Sequence, residues 1–235
     1  LPPLPSADPD VALGDDWDLG GIAHAYRTRV YDALEQQQES QTSGRALVLL
    51  HTQLIDRFVR YVFAAGTRLY ARRYTSLSQR CCLFAVGGYG RSELNPHSDI
   101  DLLFLYHWKI TPFAETLWET IYYCLMDAGW KVGHAVRNIR ECIRHANKDT
   151  EIKTTLLDSR YLCGDHALSN EFEINIAREV VHLGDTEFIR RKKSELLARH
   201  KRQSNSLYLV EPNVKEGCGG LRDLHTAWWL AKVNF

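Results

Sequence analysis

Two aspartates one residue apart, Asp99 and Asp101, follow a Gly87-Gly88 pair in the stretch FAVGGYGRSELNPHSDIDLLFLY, residues 84–106. On an extended chain alternate side chains share a face, so Asp99 and Asp101 point the same way across Ile100. Two neighbouring carboxylates repel each other and are tolerated at a solvent-facing edge, or where a divalent cation holds them. Hard oxygen donors on a stiff strand suit Mg²⁺, which takes one or two carboxylates together with substrate phosphates. The glycine pair lets the backbone turn sharply and bring N–H groups close to a phosphate. Arg91 adds a cationic fork for the same anion. Either motif alone is weak. An apolar run, Gly-Gly, a gap of about ten residues and Asp-x-Asp opening a second apolar run together predict a nucleotide and metal site.

The elements that must position these residues follow from periodicity. Apolar residues CCLFAV (81–86) and DIDLLFLY (99–106) are short runs bracketed by turn residues and read as buried strands. Before them, Leu47, Leu50, Leu54, Phe58, Val62, Ala65 and Leu69 recur at three- and four-residue steps, the stripe of a long amphipathic helix. Arg57, Arg60, Arg68, Arg72 and Arg73 fall off the stripe and read as a solvated face. A weaker helical signal covers 17–40. After the second strand, Pro112 opens a helix carrying Phe113, Leu117, Ile121, Cys124, Leu125 and Ala128, which stops at Gly129. WKVGHAVRN alternates and predicts a third strand. The rest is expected to be mainly helical, near 138–158, 166–181 and 186–204, with EPNVKEGCGG as a break before a last helix from Leu221. Trp228 and Trp229 on that helix read as core or interface residues.

Composition sets limits. The 235 residues carry 29 Lys+Arg and 29 Asp+Glu, with 45% hydrophobic residues. A zero formal charge argues against a strongly basic nucleic-acid grip. No apolar stretch approaches about 18 residues, so no membrane span is expected. LPPLPSADPD lacks the basic and apolar regions of a signal peptide. Six cysteines without a CxxC pair read as free thiols in a reducing cytoplasm. The chain does not begin with Met and reads as a piece of a longer protein. Four regions are expected: a loose arm (1–16), N-terminal helices (17–78), an α/β core (79–147) and a helical subdomain completing the site (148–235).

Apolar-Gly-Gly followed by Asp-x-Asp resembles the signature of the DNA polymerase beta-like nucleotidyltransferase superfamily. VGGYGRSELNPHSDIDLLFL is similar, more narrowly, to the nucleotidyltransferase domain of the PII uridylyltransferase/uridylyl-removing enzymes. VGHAVRNIRECI and EPNVKEGCGGLRDLHTAWWLAK resemble two later segments of that family, with Cys218 where a proline is usual. The resemblance runs over about residues 45–235. It implies an α/β (α+β) polymerase beta-like core with a small mixed sheet, flanked by N-terminal helices and a C-terminal helical subdomain. It also implies transfer of UMP from UTP to a tyrosine hydroxyl of the nitrogen-regulatory protein PII, with release of pyrophosphate. Carried over by position, Gly87 and Gly88 hold the triphosphate, Asp99 and Asp101 bind Mg²⁺, and Arg91 and Ser98 contact phosphate.

Two questions stay open at the level of sequence. The superfamily's third carboxylate belongs on the next strand, and Lys131–Arg137 has no Asp or Glu. A tyrosine hydroxyl, with a pKa of about 10, needs assistance to attack near neutral pH. His134 and, further off, Asp158 are the candidates. The glycines of KEGCGGLRD allow a second close turn, where Lys215 and Arg222 supply positive charge for the nucleotide or protein substrate, with Asp223 favoured by the helix dipole. A relative using ATP or another acceptor, and a module that binds nucleotide or PII without turnover, are the alternatives. The chain contains no His-Asp dipeptide, so the family's HD hydrolase and its sensor domains are not expected within these residues.

Overall fold

The structure is a computed structural model that describes residues 18–74, 79–181, 185–202, 211 and 213–234. The expected arm, 1–16, lies outside the described residues. These residues form two compact units. The first holds the described residues up to Ile139 together with Asp158–Glu171, and the second holds Arg140–Leu157 and the described residues from Phe172 onward.

The first unit begins with two helices, α1 (Leu19–Glu39) and α2 (Gly44–Arg73). Each starts where a side chain accepts a hydrogen bond from an otherwise unpaired N–H: Asp18 from Gly21, Ser43 from Ala46. Strand β1 (Cys81–Ala85) leads into the short α3 (Gly87–Gly90), and β2 (Ile100–Tyr106) into α4 (Pro112–Asp127). Thr111 caps α4, and Pro112 occupies the first turn, where its missing N–H costs nothing. Then β3 (Val132–Arg137) pairs parallel to β2, while β1 pairs antiparallel to β2. The fold is therefore mixed α/β around a small mixed sheet, as the sequence implied.

A fourth strand, β4 (Arg160–Gly164), was not expected. It pairs antiparallel with the other edge of β1, giving the order β3-β2-β1-β4. RYLCG carries neither a continuous apolar run nor a clean alternation to announce a strand. It is extended because β1 would otherwise leave its N–H and C=O groups unpaired in a buried place.

One face of the sheet carries Leu83, Ala85, Leu102 and Phe104 against Leu54, Phe58 and Val62 of α2 and Leu117, Ile121 and Leu125 of α4. Tyr26 of α1 stacks on Phe58 with ring centroids 4.9 Å apart. The predicted stripe of α2 is the face that is buried, widened by Ile55 and Val59. All six cysteines are free thiols.

The second unit is helical. It holds most of α5 (Ile139–Ala146), all of α6 (Thr150–Leu157), most of α7 (His166–Glu179), α8 (Thr186–Arg202) and α9 (Leu221–Asn234). Phe188, Trp229 and Val233 form a small core there. Trp229 is buried as expected. Trp228 is not: it is 52% exposed, because it lies one helical step off the buried face of α9.

Candidate active site

The glycine turn and the aspartates meet at one end of β1 and β2. Val86 donates its N–H to the Asp101 carbonyl at 3.0 Å, which ties the start of the turn to the start of β2. Gly87 then takes φ +60°, a conformation that side chains disfavour. A Cβ added at Gly87 would lie 3.4 Å from Asp101 Oδ2, so the turn passes directly over that carboxylate. Ile100 is buried, with exposed Asp99 and half-buried Asp101 on either side of it. Ser98 is exposed just ahead of them. The structure thus brings Gly87 and Asp101 together at one end of the sheet, with Asp99 just ahead of β2.

Two ion pairs brace the turn from beneath. Arg160 of β4 forms a bidentate pair with Asp56 of α2, at 2.7 and 3.0 Å, and also donates to the carbonyls of Gly90 and Tyr89 at 3.2 Å each. A planar guanidinium suits such a fork. Arg91 donates to Asp158 at 2.6 Å and to Glu93 at 2.8 Å. Arg91, expected at the phosphate, is therefore engaged with two carboxylates, although its Nη2 lies 3.8 Å from where a Gly88 Cβ would be.

The connector between the two motifs is anchored by the N-terminal helices. Tyr31 of α1 donates its hydroxyl to the Pro96 carbonyl at 2.7 Å. His51 of α2 donates through Nδ1 to the Leu94 carbonyl at 2.9 Å, and Leu94 donates to Thr52 Oγ1 at 3.2 Å. His51 is buried, and its Nε2 has no hydrogen-bond partner among the described residues. Burial pushes its pKa below the ordinary histidine value, the nearby His97 adds to this, and the bond to Leu94 opposes it only in part. None of these anchors was read from the sequence. Polar residues inside an apolar stripe, such as His51, Thr52 and Asp56, were the available signal.

The two groups considered for activating an acceptor are not placed for it. Asp101 pairs in register with Gly133 and Leu102 with His134, so His134 points to the opposite face of the sheet from Asp101. There its ring packs 5.2 Å from Trp118 and 4.8 Å from Tyr122. Asp158 has a wholly buried side chain paired with Arg91.

Lys215 and Arg222 belong to the second unit. Lys215 is exposed in a turn whose N–H groups at 215 and 216 are accepted by Asn213 Oδ1. Arg222 pairs with Glu216 at 3.4 Å. Asp223 holds this loop together: it accepts from Arg199 at 2.6 Å, from the Gly219 N–H at 2.7 Å and from His200 Nε2 at 2.9 Å. Burial opposes ionisation of Asp223, and these three donors outweigh it, holding the carboxyl below its usual range. Tertiary hydrogen bonds thus join the helix dipole in explaining Asp223.

Asp99 and Asp101 are hard donors at the start of β2, Asp99 exposed and Asp101 beneath the side-chain-free Gly87. Among the described residues no group of three or more His, Cys, Asp or Glu could hold a metal by itself. A two-carboxylate set fits Mg²⁺ that shares its coordination with phosphates, and does not fit a closed structural metal site.

Residues 76–163 match the nucleotidyltransferase domain family, and the fold is consistent with that of a nucleotidyltransferase domain. Residues 187–235 match the family described as GlnD PII-uridylyltransferase. The chain is 49% identical over 181 residues to a bifunctional uridylyltransferase/uridylyl-removing enzyme of Rhodopseudomonas palustris, covering 77% of this chain and 20% of that protein. It is 43% identical over 198 residues to the enzyme of the same description from Rhodospirillum rubrum, covering 84% and 21%. With that of Nitrobacter hamburgensis it shares 43% over 215 residues, covering 91% and 23%. The chain carries a nucleotidyltransferase domain that matches the bifunctional uridylyltransferase/uridylyl-removing enzyme family. It spans about a fifth of the length of these relatives. No helix among the described residues is long and apolar enough to cross a membrane.

Proposed function

We propose that this chain carries the transferase half-reaction of its family: UMP passes from UTP to a tyrosine hydroxyl of a PII-type regulatory protein, and pyrophosphate leaves. The reading rests above all on the close packing of the φ-positive Gly87 turn over the Asp101 carboxylate. The relatives' description as uridylyltransferases supports the choice of nucleotide, and the match of residues 187–235 to the PII-uridylyltransferase family supports the acceptor.

In this reading the first N–H groups of the turn, at Gly87 and Gly88, receive the triphosphate, because the first donors of a helical turn have no partner inside it. Ser98 adds a hydroxyl at the same end of the sheet. Asp99 and Asp101 hold Mg²⁺, which neutralises charge on the phosphates as the bond to pyrophosphate breaks. Arg91 acts on the phosphates from a guanidinium already fixed by Asp158 and Glu93, so its orientation costs little entropy at binding. We place this chemistry in the cytoplasm, where the free thiols stay reduced.

The test is transfer of labelled nucleotide from UTP, ATP, CTP and GTP, with and without PII, in Mg²⁺. UMP incorporation that requires PII and Mg²⁺ is expected, with loss to background in Asp99→Ala/Asp101→Ala. Equal signal from wild type and that variant overturns the assignment. Incorporation of another nucleotide redirects it to a relative with a different donor.

A further inference from the structure

Asp101 is seated between two glycines from different elements. On one side lies Gly87, whose absent Cβ would stand 3.4 Å from Oδ2. On the other lies Gly133, its registered neighbour on the parallel strand β3. Asp101 Oδ1 lies too close to the place of a Gly133 Cβ for both to be present, and the carboxyl carbon lies 3.3 Å from that place. Any side chain at position 133 must move the carboxylate or the strand.

Glycine inside a strand loses packing and conformational entropy, and it marks a close approach. Here the approaching group is the aspartate itself. On the Asp101 face, β3 then presents Gly133, Ala135 and Arg137, by alternation of side chains. A carboxylate at the position level with Asp101 is sterically incompatible with Asp101 as it stands. The lack of an acidic residue at position 133 is thus a geometric condition of the site.

We infer that Gly133 is a positioning residue: its missing side chain fixes the Asp101 carboxylate beneath the glycine turn, in the orientation that serves metal and nucleotide. The functional half of this inference rests on the proposed function; the geometric half does not.

Thermal unfolding of wild type, Gly133→Ala, Asp101→Ala and the double variant tests the geometry. In the wild-type background Gly133→Ala is expected to lower the midpoint by about 3 °C or more. In the Asp101→Ala background it is expected to be neutral or stabilising, since alanine restricts the unfolded chain more than glycine. Additive losses overturn the inference. UTP binding by calorimetry, in Mg²⁺ and in EDTA, tests the function. Gly133→Ala is expected to weaken Mg²⁺-dependent binding about 10-fold or more, as loss of support for a metal ligand does, with binding in EDTA unchanged. If Asp101→Ala removes the Mg²⁺ dependence and Gly133→Ala leaves it intact, the positioning role is wrong. If Asp101→Ala itself leaves the Mg²⁺ dependence intact, the proposed metal clamp fails, while coupled midpoints still uphold the slot.

Discussion

Arg91 and Asp158 are joined by a 2.6 Å ion pair in which the Asp158 side chain is wholly buried and that of Arg91 is 14% exposed. The residues stand far apart in the chain, and the pair ties the glycine turn to the segment entering β4. Removing one partner of a buried pair leaves the other charge poorly compensated, and Arg91 would keep only the more exposed Glu93. Asp158→Asn is expected to destabilise the protein by about 3 kcal/mol, measured by urea unfolding. Below its melting range the variant should keep its kcat and lose UTP affinity as the turn loosens. A kcat loss at unchanged UTP affinity would return Asp158 to the role of base.

Arg160 makes four hydrogen bonds, two to Asp56 and one each to the Tyr89 and Gly90 carbonyls. Lysine keeps the charge and cannot span that fork. Arg160→Lys is expected to cost about 2 kcal/mol, since hydrogen bonds to charged groups are the stronger ones, and to raise the KM for UTP. Unchanged stability and KM would mean that the turn is held by other contacts.

His51 couples the connector to pH. It is neutral in the fold, with its Nδ1–H on Leu94 and its Nε2 buried. Its folded pKa lies below the unfolded value of about 6.5. The unfolded chain therefore binds more protons between the two values. Stability is full above about pH 6.5 and falls as the pH drops through the folded value. Melting curves at pH 7.5 and 5.5 should show this loss in wild type and a smaller one in His51→Gln.

Asp223 gives the helical unit an acid sensitivity at lower pH. Its folded pKa is depressed, so its contribution is complete above the ordinary carboxylate value of about 3.9 and is lost as the pH falls through the lower folded value. Asp223→Asn should remove this component and expose the Gly217–Gly220 loop to faster amide exchange at neutral pH. Equal exchange in the variant would show that Arg199 holds the loop through Glu216 alone, where it donates to the carbonyl at 3.1 Å.

Much of this architecture was legible because its signals are local. The stripe of α2, the apolar runs of β1 and β2 and the Thr111-Pro112 start of α4 each encode their own element. The Gly-Gly and Asp-x-Asp motifs were legible for the same reason, since turn geometry and side-chain alternation act over a few residues. β4 was not, because its extended state is set by the edge of β1. The pairing of Arg91 with Asp158 was not legible either, because a partner that distant in the chain is invisible in a local window.

The sequence by itself determined that a glycine turn precedes a pair of carboxylates on a buried strand, and that no carboxylate follows on the next one. Those properties depend on residue type and spacing alone. Only the tertiary structure decided which groups surround Asp101. Strand register set Gly133 beside it and turned His134 to the far face, and long-range ion pairs committed Asp158 and Arg160 to bracing the turn. Pairing and burial join residues distant in the chain, and no local pattern records them.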